Sequence, residues 1–154
     1  MNIKTMIVTA GLAFAAFNAH ANIGDTLEKS AEKYGPPIGF EGNKRTYRFN
    51  NWLITQCFNS QGIAVTACYF KVIGTISAYE AQQLNLANVH FTQFPKTWQH
   101  EDWPDDPGWA NQKSCFDPLS GTRITYGQHL IDNEWHDFRA FSELETESAN
   151  LLPI

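Results

Sequence analysis

The sequence predicts an α+β fold, an antiparallel sheet or sheets with two short helices, in the order α-βββ-α-βββ. Three observations carry that prediction. Two short segments, one near residue 25 and one near residue 77, open on a capping pattern and carry an apolar stripe at helical spacing. Each is followed by runs of β-branched and aromatic residues, the composition of strands. Turn residues ("NN", "NSQG", "DPLSG" and "DN") separate those runs at hairpin spacing. The order reads as a duplicated unit or as one six-stranded sheet, and the two halves share little sequence.

Residues 1–21 have the pattern of a secretory signal peptide. Lys4 gives the positive start, Met6 to Phe17 the short apolar run, and Ala19-His20-Ala21 the small residues before a cleavage site. The apolar run is too short to span a bilayer, which takes about 20 residues. Asn22 follows the site where a lipoprotein would have cysteine. The expected organisation is a signal peptide over 1–21, a single α+β domain over 22–144 and a flexible tail over 145–154. A periplasmic or secreted location follows, and no later segment is long and apolar enough to be a membrane span.

In the first helix, Asp25 is the expected cap and Glu28, three residues on, completes a capping box. Leu27, Ala31 and Tyr34 then fall on one face. Gly35 supplies a left-handed residue after the last turn, and Pro36 forbids continuation. Strands are expected at 45–49, 52–58 and 63–73. Ser77 and Glu80 form the second capping box, with Ile76 and Ala81 as a hydrophobic staple. Ala81, Leu84 and Ala87 mark the buried face of that helix, and Asn88 is its expected stop. Residues 89–112, with Trp98, Trp103 and Trp109 among prolines and acids, read as a long irregular loop. Strands return at 113–116, 121–131 and 134–144.

Charge is unevenly placed. Residues 22–88 hold five acids against six bases, and residues 89–154 eleven acids against four bases. A nucleic-acid partner needs a basic footprint, which is missing. An acidic surface favours solubility, or a basic partner, and a protein partner is expected in the cell envelope or outside the cell.

The stretch Gly24 to Pro37 followed by Tyr47 to Trp52 resembles the small SmpA/OmlA (BamE-like) lipoproteins and β-lactamase-inhibitor-like folds. The longer run to Asn88 also resembles small exported bacterial proteins of unknown function. Gly24, Thr26, Tyr34, Gly35, Pro36, Tyr47 and Gly62 carry the likeness. The chain lacks the lipidated cysteine of the BamE-like proteins. The resemblance implies a fold used for protein–protein contact, and it transfers no catalytic residue.

Chemistry is sparse. Asp132, Glu134, His136 and Asp137 gather around a turn, and Glu134 and His136 share a strand face by period two. They offer a metal or acid–base site, or a polar hairpin tip. His100, Glu101, Asp102, Asp105 and Asp106 are oxygen-rich but lack EF-hand spacing. Ser60, Ser114 and Ser120 lack a nucleophile elbow. Trp98, Trp103 and Trp109 make either a binding surface or staples to the core. Cys57, Cys68 and Cys115 match neither a zinc site nor a redox pair, so one disulfide and one thiol are expected, and a thiol–His129 pair is conceivable. If "NSQG" is the hairpin loop, Cys57 faces Ala64 and Cys68 lies four residues beyond. That places the two sulfurs roughly 13 Å apart along the strand, too far for a bridge. Cys115 is then the expected partner of Cys57 or Cys68. No cofactor is called for. The reading is a non-catalytic periplasmic or secreted protein-binding module, the alternative a small exported hydrolase or metal-dependent enzyme using the 132–137 cluster.

Overall fold

The structure, a computed structural model, describes residues 22–89 and 97–143. Its elements are α1 (Leu27–Tyr34), β1 (Gly39–Glu41), β2 (Lys44–Phe49), β3 (Trp52–Phe58), β4 (Ala64–Lys71), α2 (Ala78–Val89), β5 (Gln99–Asp102), β6 (Trp109–Phe116), β7 (Arg123–Ile131) and β8 (Glu134–Ser142). All eight strands join one antiparallel sheet in the order β1-β2-β3-β4-β8-β7-β6-β5. This corrects the predicted α+β class and the order α-βββ-α-βββ. The fold is mainly β, and its order is α-β4-α-β4. The predicted signal peptide and tail lie outside the described residues. No described helix is long and apolar enough to cross a membrane.

The two missed strands are the outermost ones. All four residues of β5 are exposed, and β1 has three residues, none buried. Such edges carry no alternation of apolar and polar residues, because neither face is buried.

The helices are written locally, with one change of partner. Thr26, not Asp25, caps α1: its hydroxyl accepts the Lys29 N–H at 3.2 Å. Asp25 is buried instead and takes the Lys33 ammonium at 2.6 Å. Gly35 closes α1 by donating to Ala31 O at 2.9 Å, with φ 81° and ψ −172°. The backbone there is extended rather than in the left-handed helical region, and only glycine adopts it without strain. At α2 the expected capping box forms, with Glu80 N–H on Ser77 Oγ and Ser77 N–H on Glu80 Oε2. Asn88 does not stop α2. It is buried within the last turn, and its amide donates to Tyr69 Oη and to Leu84 O.

Both helices cover the same face of the sheet. Cross-strand partners share a face, so Tyr47, Ile54, Tyr69, Arg139 and Tyr126 form one row on it. Tyr34 of α1 packs on Tyr47, ring centroids 5.5 Å apart. Asn85 of α2 accepts from Arg139 Nε at 2.8 Å. The main core lies here, with Ala67, Leu84, Trp98, Ile124 and Phe141. On the opposite face a row of small side chains crosses six strands: Thr46, Thr55, Cys68, Ala140, Thr125 and Ser114. Hydroxyl pairs Thr46–Thr55 (3.4 Å) and Ser114–Thr125 (3.3 Å) flank the central Cys68–Ala140 pair on either side. Each half is thus a helix followed by a four-stranded meander, and the last strands, β4 and β8, join the halves.

The register also corrects the disulfide. A bulge between Cys57 and Phe58 pairs Phe58 with Ala64 and Cys57 with Thr66, so Cys68 lies two residues beyond Cys57's partner, not four. Cys115 pairs with Ile124, which pairs with Phe141 and so lies on the helix side, whereas Cys57 and Cys68 lie on the other face. From Cys115 on β6, Cys68 on β4 is three strands away, about 14 Å at the usual strand spacing. A bridge needs Cα atoms within about 7 Å. No disulfide joins Cys115 to either of them, and all three cysteines are free and buried.

Candidate functional site

The three tryptophans do not form one surface. Trp98 is 8% exposed and belongs to the main core, so it acts as a staple. Trp103 and Trp109 are half-buried and line one cleft together with Pro104, Asp105, Asp106 and Gln112, about 280 Å³ in volume.

A turn builds the cleft. Asp106-Pro107-Gly108-Trp109 closes with paired backbone bonds, Asp106 N–H to Trp109 O (3.1 Å) and Trp109 N–H to Asp106 O (2.8 Å). Proline presets the second position, and Gly108 takes φ +86° at the third, as a type II turn requires. The Gly108 carbonyl accepts from Leu130 N–H (2.8 Å) and from His129 Nδ1 (2.7 Å), which ties the turn to β7. Trp109 stacks on His129 with centroids 3.8 Å apart and meets Phe138 edge-on at 5.0 Å. One wall of the cleft is therefore fixed by the sheet.

The other wall carries charge. Trp103 donates its backbone N–H to Gln112 O at 3.1 Å. Arg123 lies 5.8 Å from the Trp103 ring centroid and pairs with Glu101 at 3.2 Å. Asp105 Oδ1 accepts the Asn111 N–H at 2.9 Å, which leaves its second oxygen. The Asp106 carboxylate takes no hydrogen bond from the described residues, and none of the cleft's lining residues is basic. Beside it runs β5, the last strand of the sheet, with His100, Glu101 and Asp102 exposed.

The 132–137 residues do not converge. Asp132 and Asn133 take the turn between β7 and β8, both at positive φ. Glu134 and His136 share a face as expected, but Asp137 lies on the other, where it accepts from Ile76 N–H (2.9 Å) and Gln128 Nε2 (3.2 Å). His136 Nδ1 is held by the Lys71 carbonyl at 3.0 Å. Among the described residues, no group of three His, Cys, Asp or Glu side chains could hold a metal ion.

Sequence reasoning missed one pair. Cys115 Sγ lies 3.1 Å from His100 Nδ1, its cross-strand partner on β5, while His129 is engaged with Trp109. Burial pushes the Cys115 thiol up, against the pull of Arg139 and a Tyr126 hydrogen bond, so burial favours the thiol over the thiolate. Only recognition of β5 as a strand would have placed His100 there.

No known protein family, no characterised protein and no solved structure gives a significant match to this chain.

Proposed function

We propose that the chain is a non-catalytic, exported binding module, periplasmic or secreted, whose contact surface is the acidic, Trp-lined end of the sheet formed by β5 and residues 103–109. The partner is a protein with a basic face. One observation carries this reading: the cleft between Trp103 and Trp109 presents carboxylates without a basic neighbour in its lining, beside an outermost strand that is exposed throughout. Half-buried tryptophan is a residue enriched at interface hot spots, and the carboxylates beside it select the charge of the partner. An outer strand can accept a partner's strand. Acids on β5 disfavour an acidic strand opposite and favour a basic one. The resemblance to small exported envelope proteins supports the same class.

The test immobilises the protein that begins at Asn22 and exposes it to envelope extract from the source cells. A partner retained by the wild type, released by salt and lost by the double variant Asp105→Asn/Asp106→Asn is expected. Retention unaffected by salt and by both substitutions would sink the assignment of this surface. N-terminal sequencing of exported material, expected to start at Asn22, tests the location, and a retained Met1 would end it.

A further inference from the structure

We infer that the Trp103–Trp109 cleft is a cation site that takes one lysine or arginine side chain of a basic peptide. The inference rests on the binding-module reading and names what the cleft itself recognises. Three features point to a cation.

The first is composition. Indole rings attract an alkylammonium or guanidinium through the negative potential of their faces, and tryptophan does so best. Here two indoles share a cleft with two carboxylates, and its lining residues bring no positive charge.

The second is a precedent within the chain. Trp103 already has the Arg123 guanidinium 5.8 Å from its centroid, with Glu101 as the paired carboxylate at 3.2 Å. Arg123 is not among the residues that line the cleft, so the cleft sets indole beside acid with no cation in its own lining. Among the described residues, Asp105 keeps one oxygen after the bond to Asn111, and Asp106 keeps both.

The third is size and rigidity. At about 280 Å³ the cleft has room for a single long side chain. Trp109 is fixed by His129 and by the turn, so little ordering is needed on binding.

The test uses tetra-arginine and tetralysine amides, with tetraglutamine amide and a neutral oligosaccharide as comparison ligands. Binding is followed by the indole N–H resonances of the 15N-labelled protein, with Trp103 and Trp109 assigned from Trp→Phe variants. The basic peptides should move both indole resonances, and the neutral ligands should move neither. Trp103→Ala should weaken binding by about tenfold, the measure of one cation–π contact of intermediate burial. Asp105→Asn/Asp106→Asn should weaken it at least as much and flatten its salt dependence, and circular dichroism should show both variants folded. Trp103→Phe keeps an aromatic face and should lose less than Trp103→Ala. Basic peptides that leave the two indoles unmoved, or that bind the double Asn variant as well as wild type, overturn the inference. So does a shift caused by the oligosaccharide instead. An envelope partner still captured by the double Asn variant but released by salt would refute the cation site and leave the module reading standing on β5. Loss of both peptide and partner binding in the wild type would end both.

Discussion

Gly35 offers a clean measurement of backbone strain in this fold. Its φ of 81° with ψ of −172° lies in a region that glycine alone enters freely. A Cβ built there meets nothing within 4 Å, so Gly35→Ala creates no clash. The whole effect is torsional, and forcing an L-residue into that region costs about 1–3 kcal/mol. Over the roughly 115 described residues, an unfolding entropy of about 2.1 cal/mol/K each makes 1 kcal/mol correspond to about 4 °C. Gly35→Ala should therefore lower Tm by about 4–12 °C, with urea unfolding showing the same loss at an unchanged m-value. Gly35→Asn separates this geometry from an ordinary left-handed cap. Asparagine tolerates the left-handed helical region but not this extended one. It should be as destabilising as alanine. An alanine variant with the wild-type Tm, or an asparagine variant that regains most of the loss, would refute the reasoning.

Trp98→Ala should cost about 3–5 kcal/mol in urea unfolding, because the indole is buried in the main core. Glu80 sits where burial pushes its carboxyl up, but bonds from Lys71 and Ser77 outweigh this and hold it below the usual carboxylate range. A depressed folded value means the contribution is present above the unfolded pKa and is lost as pH falls through the folded one. Wild type should thus exceed Glu80→Gln by about 1 kcal/mol at neutral pH and lose that advantage progressively as pH falls from the ordinary glutamate range through the depressed folded value, as read from urea midpoints. Burial pushes up all three thiols. A thiol reagent without reductant should therefore find almost none in the native protein and three after denaturation, and a count of one would restore a disulfide.

What the sequence determined by itself was local. The box of Ser77 and Glu80, the stop at Gly35-Pro36 and the turn at Asp132-Asn133 each depend on residues a few positions apart, and each formed. The central strands were legible because burial forces β-branched and aromatic residues into them. Even the shared face of Glu134 and His136 follows from period two alone. Only the tertiary structure decided the rest. The exposed strands β1 and β5 exist because a neighbour pairs with them, and nothing in "GFE" or "QHED" records that neighbour. With β5 unseen, the Cys115–His100 contact was out of reach. The bulge after Cys57 moved Cys68 closer than the hairpin loop implied, and pairing across β6, β7 and β8 placed Cys115 on the opposite face. A side chain's face follows from register, and a slip of one residue reverses it. Trp98 and Trp103, five residues apart in one acidic stretch, part for the same reason: one lies in the core and the other at the cleft, a division set by pairings made far away along the chain.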